Sequence, residues 1–333
     1  MTRPIRVFIN GFGRIGRSLF RQILTTEAGG GVEIAGVNDI APLETCAYLL
    51  RYDSVYGPFP QPVEAGPGWL TAGNIRVPFH NEADLRRLDL RDVDVVLECT
   101  GRARDRHTVE AGRDAGAGHV LISGPSSVAD RTIVMGANED ELGDARIVSN
   151  ASCTTNAIAP LLKALDGAFG IDRAHVTTVH CYTGSQPTVD QPGANLERSR
   201  AAAVSMVPTT TSATDQVTQV LPAFRDRLSV AAVRVPTISV SAVDAVLQLN
   251  SAPDSDPAEA LTDTLSDATL FGLTRDPCVS TDFRGRTESL VLALPETQLM
   301  PGGQLRLLGW YDNEWGFSAR MLDMARRMAS RDT

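Results

Sequence analysis

Short apolar runs alternate with helical patterns through the first half of the chain. The runs read IRVFIN, VEIAGVND, VDVVLECTG, GHVLISG and ARIVSN, and the helical stretch RIGRSLFRQIL follows the first of them. Runs that are apolar at almost every position are typical of strands buried on both faces, as in a parallel sheet covered by helices. The pattern therefore predicts an α/β domain with a doubly wound parallel sheet.

The pattern changes in the second half, which is rich in β-branched residues. Its apolar segments are HVTTVHCY, LSVAAVRVP, ISVSAVDAVLQLN, ESLVLALP and QLRLLGWYDN. In ISVSAV, apolar and small polar residues alternate, as expected for a strand with one exposed face. We therefore expect a mixed or antiparallel sheet with helices on one of its faces.

The chain ends in a segment with helical spacing, WGFSARMLDMARRMA, which predicts a packing helix. Its apolar stripe consists of Phe317, Met321, Met324, Ala325 and Met328. With 333 residues the chain is long enough for two domains, each with its own core. We place the first domain at residues 1–152 and the second at 153–315, with a helix at 316–333 that packs back on the first.

Composition and charge narrow the classes of function. The chain carries 31 basic and 40 acidic residues, and this net charge of -9 disfavours binding to the phosphate backbone of nucleic acids. Its five cysteines are odd in number and lack CxxC spacing, so neither a disulfide framework nor a metal site is predicted. We see no signal peptide and no apolar run as long as a membrane span, and we expect a cytoplasmic protein.

A glycine-rich turn follows the first predicted strand directly. INGFGRIGR places Gly11, Gly13 and Gly16 in the spacing G-x-G-x-x-G, with an amphipathic helix after it. Such a turn lets the backbone approach a pyrophosphate at the helix N-terminus, as in Rossmann-type dinucleotide-binding domains. Asp39 follows the next strand, where a carboxylate accepts hydrogen bonds from the adenosine ribose and repels a 2'-phosphate, so we predict NAD binding. The alternative for Asp39 is a loop or helix-capping role.

One cysteine stands among small polar residues, in SNASCTTN. Cys153 lies where a predicted strand gives way to a helix that contains Pro160, a residue that can bend it. The partial positive charge at a helix N-terminus favours a thiolate, so we expect a lowered pKa of Cys153 and a nucleophile. A buried, inert cysteine is the alternative, and it is the prediction for Cys46, Cys99 and Cys278.

A nucleophilic thiol also needs a base. Among the five histidines, His180 is the candidate, because it ends the predicted strand HVTTVH and precedes the polar turn CYTGSQPT. The spacing alone leaves open whether His180 is a base or an ordinary strand-end residue.

Six segments occur in the order and spacing of one enzyme family. They are NGFGRIGR, SNASCTTN, TVHCYTG, RAAA…VPTTT, RVPT and WYDNEWG, and they extend from Asn10 to the last helix. The chain thus resembles the phosphorylating glyceraldehyde-3-phosphate dehydrogenase family, which includes the erythrose-4-phosphate dehydrogenases. The resemblance implies a homotetramer that binds NAD, a phosphorylated aldehyde and inorganic phosphate, with glyceraldehyde 3-phosphate as the expected substrate.

The same resemblance implies a mechanism and a set of site residues. Cys153 attacks the aldehyde, with its backbone amide as oxyanion donor and His180 as base, and hydride transfer to NAD leaves an acyl-thioester that phosphate cleaves. Contacts to NAD are implied for Asn10, Gly11, Phe12, Gly13, Arg14, Ile15, Gly16, Asp39, Thr100 and Asn313. Contacts to the substrate's own phosphate are implied for Thr183, Ser185 and Arg234, and contacts to the attacking phosphate for Thr154, Arg198 and Thr211, with Ser152 in the same substrate- and phosphate-binding set.

The chain also departs from the family pattern. Ala157, Cys181 and Phe317 stand where cysteine, alanine and tyrosine are usual, and YDSVYGPF lacks a usual histidine and a cation. After PTTT, Ser212 replaces a glycine and ATDQ follows in place of small residues and a lysine, with Asp215 adding negative charge. These changes favour a specialised paralogue. They leave open erythrose 4-phosphate as substrate, arsenate or another acyl acceptor and, from a different class, a non-catalytic relative that binds NAD or RNA.

Overall fold

The computed structural model describes residues 3–330, which form two compact units. The first unit comprises the chain up to Met135, Glu139–Ser152 and the chain from Ser318. The second comprises Gly136–Asn138 and Cys153–Phe317. Over residues 3–330, no helix combines the length and the apolar character that crossing a membrane requires.

The first unit contains a nine-stranded sheet and three helices of its own. The strands are Ile5–Asn10 (β1), Val32–Asn38 (β2), Val63–Gly66 (β3), Trp69–Ala72 (β4), Ile75–His80 (β5), Val95–Glu98 (β6), His119–Ile122 (β7), Arg131–Thr132 (β8) and Ile147–Ser149 (β9), and the helices are Arg14–Thr25 (α1), Leu43–Arg51 (α2) and Arg106–Asp114 (α3). The spatial order is β3-β4-β5-β2-β1-β6-β7-β9-β8. Pairing is antiparallel from β3 to β5 and parallel elsewhere, which confirms the predicted parallel sheet and adds a hairpin extension that the sequence did not predict.

The central strands of this sheet are buried along their whole length. Every residue of β6, β7 and β9 is buried, as predicted for strands covered on both faces. Phe8, Val96, Val120 and Ile147 from four neighbouring strands share one apolar core cluster. Because the middle of the sheet is packed, the ends of its strands are the part available to a ligand.

The second unit contains an eight-stranded sheet and three helices. The strands are Ile171–Cys181 (β10), Val207–Thr209 (β11), Leu228–Val235 (β12), Ser241–Leu249 (β13), Phe271–Thr274 (β14), Leu290–Ala293 (β15), Gln298–Met300 (β16) and Gln304–Tyr311 (β17), and the helices are Cys153–Phe169 (α4), Ala213–Val220 (α5) and Pro257–Thr264 (α6). The spatial order is β11-β12-β10-β13-β17-β15-β14, with β16 paired to β17. The β10–β12 and β14–β15 pairs are parallel and the others antiparallel, which confirms the predicted mixed sheet.

Helices cover one face of this sheet, where α4 contacts β10 and β13, and α5 contacts β12. Along β13, buried positions alternate with the half-buried Asp244, Val246 and Gln248. The prediction that the serines of ISVSAV face solvent is wrong, because Ser239 and Ser241 are both buried. Ser241 lies at the start of the strand, and its hydroxyl is bonded to a polar side chain of the interior.

The last helix is Trp315–Ala329 (α7), one residue earlier in its start than predicted. Its predicted apolar stripe, including Met321, Met324 and Met328, is fully buried. Residues 331–333 of the predicted helix lie outside the described part of the chain. From Ser318 onward the helix belongs to the first unit.

Candidate active site

A cleft in the first unit lies at the carboxyl ends of β1, β2 and β6. It has a volume of about 260 Å³, and its lining includes Asn10, Gly11, Gly13, Asp39 and Thr100. Strand β1 is flanked by β2 on one side and β6 on the other. The chain reverses its direction of winding there, which is where open α/β sheets bind dinucleotides. Five predicted cofactor contacts are thus brought together.

Two of the three glycines in the turn leave no room for a side chain, whereas the third borders open space. Gly11 has φ +93°, and a Cβ there would lie 2.7 Å from the backbone of Cys99. A Cβ on Gly16 would lie 2.1 Å from the carbonyl oxygen of Gly11, so both positions exclude a side chain. Gly13, at the N-cap of α1, has no atom within 4 Å of the Cβ position and no side-chain cap. The open space beside the helix N-terminus fits the pyrophosphate of a dinucleotide.

Asp39 has a structural role in this loop in addition to lining the cleft. One carboxylate oxygen accepts a hydrogen bond from the backbone N–H of Phe12 (2.6 Å), and the other accepts one from that of Ala41 (2.8 Å). The ring of Phe12 is buried against Phe20, so only its backbone faces the turn. Asp39 therefore fixes the shape of the glycine turn.

Arg14 and Ile15 follow the turn at the start of α1. Arg14 Nη1 donates to Asp53 (2.5 Å), and its guanidinium lies 5.5 Å from the centroid of the Tyr56 ring. Tyr56 belongs to YDSVYGPF, the segment that lacks the usual histidine. The Arg14 side chain is thus held by the protein itself, while Ile15 is half-buried.

A buried carboxylate in the lining of the cleft was missed by the sequence analysis. Glu98, only 3% exposed, accepts hydrogen bonds from Asn10 Nδ2 (2.5 Å) and from the backbone N–H of Thr100 (2.9 Å). Asn10 in turn accepts from Asn38 Nδ2 (2.8 Å). Burial raises the pKa of Glu98, although the hydrogen bonds from Thr100 and Asn10 act in the opposite direction. A charged residue at the end of the apolar run VDVVLE was the available signal.

In the second unit, Cys153 is the first residue of α4. Strand β9 ends at Ser149, and the intervening Ala151 has a left-handed φ of +54°, an uncommon conformation for a residue with a side chain. Helix α4 continues through Pro160 to Phe169. The predicted strand-to-helix junction at the cysteine is confirmed.

His180 lies next to this cysteine. Nε2 of His180 is 3.6 Å from Sγ of Cys153, and Nδ1 is 2.7 Å from the carbonyl oxygen of Cys181. In the tautomer with its proton on Nδ1, this nitrogen donates to the carbonyl oxygen. The lone pair of Nε2 then faces the thiol, which is the arrangement a base requires.

The positive charge of Arg234, on the neighbouring strand, acts to lower the pKa of both His180 and Cys153. Arg234 is the register partner of His180 across the parallel β10–β12 pair, and its Nη1 lies 2.8 Å from the Cys181 carbonyl oxygen and 2.8 Å from His180 Nδ1. Burial and, to a smaller extent, the Arg234 cation lower the pKa of His180 to about 4. His180 is therefore neutral near pH 7.

The expectation of a lowered pKa for Cys153 is wrong. Burial raises the pKa of the thiol, and it outweighs the Arg234 cation and the hydrogen bonds from Thr154 and from the cysteine's own backbone, which act in the opposite direction. The helix N-terminus is only one of several factors that set the pKa of Cys153. The resting pair is a thiol beside a neutral imidazole.

A second residue missed by the sequence analysis is Tyr311, at the end of β17. Its buried hydroxyl is 3.0 Å from Thr154 Oγ1 and 2.8 Å from Thr178 Oγ1. Its ring packs edge-on against His180, with 6.0 Å between the centroids. Burial raises the pKa of Tyr311, which keeps the hydroxyl protonated. Tyr311 thus links the first turn of α4 to the strand that carries His180.

The residues implied for the substrate's phosphate are polar and accessible. Thr183 Oγ1 and Ser185 Oγ are 2.9 Å apart just after β10, where Ser185 is exposed. Arg234 is half-buried, and no carboxylate among residues 3–330 pairs with it. Ser152 is half-buried directly before the cysteine.

The residues implied for the attacking phosphate have separate partners. Arg198 donates to Thr209 Oγ1 (2.6 Å) and to the Thr210 carbonyl (2.9 Å). Thr211 Oγ1 accepts from a backbone N–H of α5, and the Thr154 hydroxyl is buried against a tyrosine. In the described chain no hydrogen bond joins Thr154, Arg198 and Thr211, and their shared role stays a prediction.

Asn313 is held from two sides. Its Oδ1 accepts hydrogen bonds from the thiol of Cys181 (3.1 Å) and the hydroxyl of Ser241 (3.3 Å). Cys181 is buried, and burial raises its pKa to about 12, so it stays a thiol donor. The unusual cysteine beside His180 therefore orients the amide of Asn313.

Of the three cysteines predicted to be buried and inert, Cys46 is buried, whereas Cys99 and Cys278 are half-buried. All five cysteines of the chain are free. Burial raises the pKa of Cys46 to about 11 and raises that of Cys99 as well, so both remain protonated. Cys278 packs beside the apolar cluster of Val240, Phe283 and Val291.

Comparisons with known proteins cover nearly the whole chain. Residues 5–106 match the family model "Glyceraldehyde 3-phosphate dehydrogenase, NAD binding domain", and residues 152–313 match "Glyceraldehyde 3-phosphate dehydrogenase, C-terminal domain". The chain is 43% identical to glyceraldehyde-3-phosphate dehydrogenases of Cereibacter sphaeroides and Xanthobacter flavus, in each case over 97% of this chain and 98% of the relative. It is 37% identical to glyceraldehyde-3-phosphate dehydrogenase 2 of Bacillus subtilis, over 98% of this chain and 97% of the relative. The chain therefore belongs to the glyceraldehyde-3-phosphate dehydrogenase family.

Proposed function

We propose that the protein oxidises glyceraldehyde 3-phosphate with NAD and inorganic phosphate to 1,3-bisphosphoglycerate, through a thioester on Cys153. The observation that carries the proposal is the 3.6 Å separation of Cys153 Sγ and His180 Nε2. The names of the relatives favour glyceraldehyde 3-phosphate over erythrose 4-phosphate.

The first chemical step needs a base rather than a preformed thiolate. His180 Nε2 takes the thiol proton while Sγ of Cys153 bonds to the aldehyde carbon. The aldehyde oxygen takes up that proton, and the product is a hemithioacetal. The backbone N–H of Cys153 at the start of α4 stabilises negative charge on this oxygen during the attack.

Oxidation converts the hemithioacetal into a thioester. His180 takes the hydroxyl proton again, and NAD would supply the hydride acceptor for the same carbon. A phosphate oxygen then attacks the carbonyl carbon of the thioester, the C–S bond breaks, and the sulfur of Cys153 leaves as a thiolate. The acyl phosphate is released and the thiolate regains its proton from His180.

The residues of the cleft would hold the dinucleotide. The space beside Gly13 at the N-terminus of α1 supports pyrophosphate binding, and Asp39 would face the adenosine ribose. Asn313, oriented by Cys181 and Ser241, would use its remaining amide N–H groups for the nicotinamide carboxamide.

Arg234 would bind the phosphate of the substrate, together with Thr183 and Ser185. A half-buried guanidinium without a carboxylate partner is costly unless an anion occupies the space beside it. Thr154, Arg198 and Thr211, with Ser152, would bind the attacking phosphate. A cytoplasmic homotetramer is the assembly and location that the family resemblance implies, and both stay predictions.

The decisive experiment follows NADH formation at 340 nm with glyceraldehyde 3-phosphate or erythrose 4-phosphate, each with and without phosphate or arsenate. We expect turnover with glyceraldehyde 3-phosphate that depends on phosphate or arsenate. Cys153→Ser should form no NADH, whereas Cys278→Ser, which changes a half-buried cysteine outside the site, should retain activity. Faster turnover with erythrose 4-phosphate would reassign the substrate, and turnover without phosphate or arsenate would mean that water cleaves the thioester.

A further inference from the structure

A buried amide joins α5 to α4, the helix that begins at the nucleophile. Gln216 in α5 is 6% exposed, and both ends of its side chain are hydrogen-bonded. Its Oε1 accepts from Thr155 Oγ1 (3.1 Å) in α4, and its Nε2 donates to Ser212 Oγ (2.5 Å). A buried amide with both partners satisfied holds them at a fixed spacing.

The two partners lie at chemically important places. Thr155 is fully buried, two residues after Cys153 in the first turn of α4. Ser212 is the N-cap of α5 and directly follows Thr211, yet its side chain does not cap the N–H groups of its own helix. A serine at this position ordinarily serves as the cap, but here its hydroxyl is bonded to Gln216 instead.

The link is not needed to hold α5 in place. Thr214 Oγ1 accepts from the backbone N–H of Val230 (3.0 Å), which ties the helix to β12 independently. Apolar residues of α5, among them Val217 and Val220, are fully buried. What Gln216 adds is a fixed distance between the turn at Thr211 and the first turn of α4.

We propose that Gln216 is a positioning residue that sets the affinity for the acyl acceptor, a tetrahedral oxyanion such as phosphate or arsenate. This inference rests on the proposed function, in which Thr211 contacts the attacking phosphate. Gln216 and Ser212 both lie in SATDQ, the segment that departs from the usual family pattern. Together they link Thr155, in the helix that begins at the nucleophile, to the residue that follows Thr211.

The test separates acylation from the attack of phosphate on the thioester. Gln216→Met keeps the volume of the side chain but removes both hydrogen bonds, and Ser212→Ala breaks the same link at an exposed residue where misfolding is not a concern. We expect the KM for phosphate to rise about fivefold or more in each variant, the effect of losing one to two neutral hydrogen bonds. The NADH burst measured without phosphate should stay within about twofold of wild type, because acylation does not use the link.

Thr218→Ala is the matched control, since it removes a hydroxyl that bonds only to the backbone of the same helix. It should leave the KM for phosphate and the burst unchanged. The variant with both Gln216→Met and Ser212→Ala should raise the KM for phosphate no more than the more impaired single variant does, because the two substitutions break one link.

Two results would overturn the inference. One is an unchanged KM for phosphate in Ser212→Ala and Gln216→Met, and the other is a burst that falls in proportion to the rise in KM. Failure of the proposed function would look different, since the wild-type protein would then form no NADH with phosphate or arsenate at any concentration.

Discussion

His180→Gln should make the folded protein less sensitive to acid than the wild type. The pKa of His180 is about 4 in the folded protein because the ring is buried, against an ordinary value of about 6.5. As pH falls below about 6.5, the unfolded chain binds a proton that the folded protein does not accept until about pH 4. Stability therefore rises with pH through this window and is lost as pH falls.

The size of the effect follows from the difference in pKa. Between about pH 7.5 and about pH 5, the wild-type protein should lose about 2 kcal/mol of unfolding free energy through this one residue. Glutamine does not titrate, so the variant should lose about that much less over the same range. Plotted against pH, the unfolding free energies of the wild type and the variant should have the same slope above about pH 7, where histidine is neutral in both the folded and the unfolded state.

Urea unfolding at a series of pH values measures this difference. Tryptophan fluorescence is a suitable signal because Trp310 and Trp315 lie in the same unit as the histidine. His175→Gln is the matched control, since His175 lies on the same strand with its ring exposed, and it should keep the wild-type dependence. Parallel curves for wild type and His180→Gln would refute the reasoning, because they would mean that the folded protein takes up a proton at this site at the same pH as the unfolded chain.

Two further substitutions test other parts of the site. Asp39→Asn removes the negative charge at nearly constant size, so the ratio of kcat/KM values for NADP and NAD should rise by about tenfold or more; an unchanged ratio would show that the carboxylate serves only the backbone of the glycine turn. Tyr311→Phe leaves the hydroxyls of Thr154 and Thr178 without their shared partner and should cost about 1–3 kcal/mol in urea unfolding. A loss of only a few tenths of a kcal/mol would contradict the role assigned to this hydroxyl.

Much of the fold could be predicted from local patterns in the sequence. The apolar runs gave the parallel core of the first sheet, and the helical stripe gave α7 to within one residue of its start. The junction at Cys153 was also predictable, because the end of an apolar run and the start of a helical repeat lie within a few residues of each other.

Contacts between distant parts of the chain were not predictable in the same way. Thr154 and Tyr311 are 157 residues apart, and Thr155 and Gln216 are 61 apart. No local spacing relates such residues, because tertiary packing alone decides which polar groups meet in the interior. Ser241 illustrates the same limit: its alternation with apolar neighbours suggested an exposed face, whereas its hydroxyl serves Asn313 inside.

The pKa of Cys153 shows why a local rule gave the wrong sign. The rule considers only the end of the helix, which favours a thiolate. The folded protein adds a desolvation cost that depends on all the elements packed around the sulfur, and this cost is larger.

The in-register pairing of His180 with Arg234 has a consequence for selectivity. The cation that would hold the substrate's phosphate is the same cation that weakens the base. A phosphate dianion on Arg234 would offset its charge, so a phosphorylated aldehyde would strengthen the imidazole that activates the thiol as it binds. An aldehyde without phosphate would leave the base weak, and it would be discriminated against in the chemical step as well as in binding.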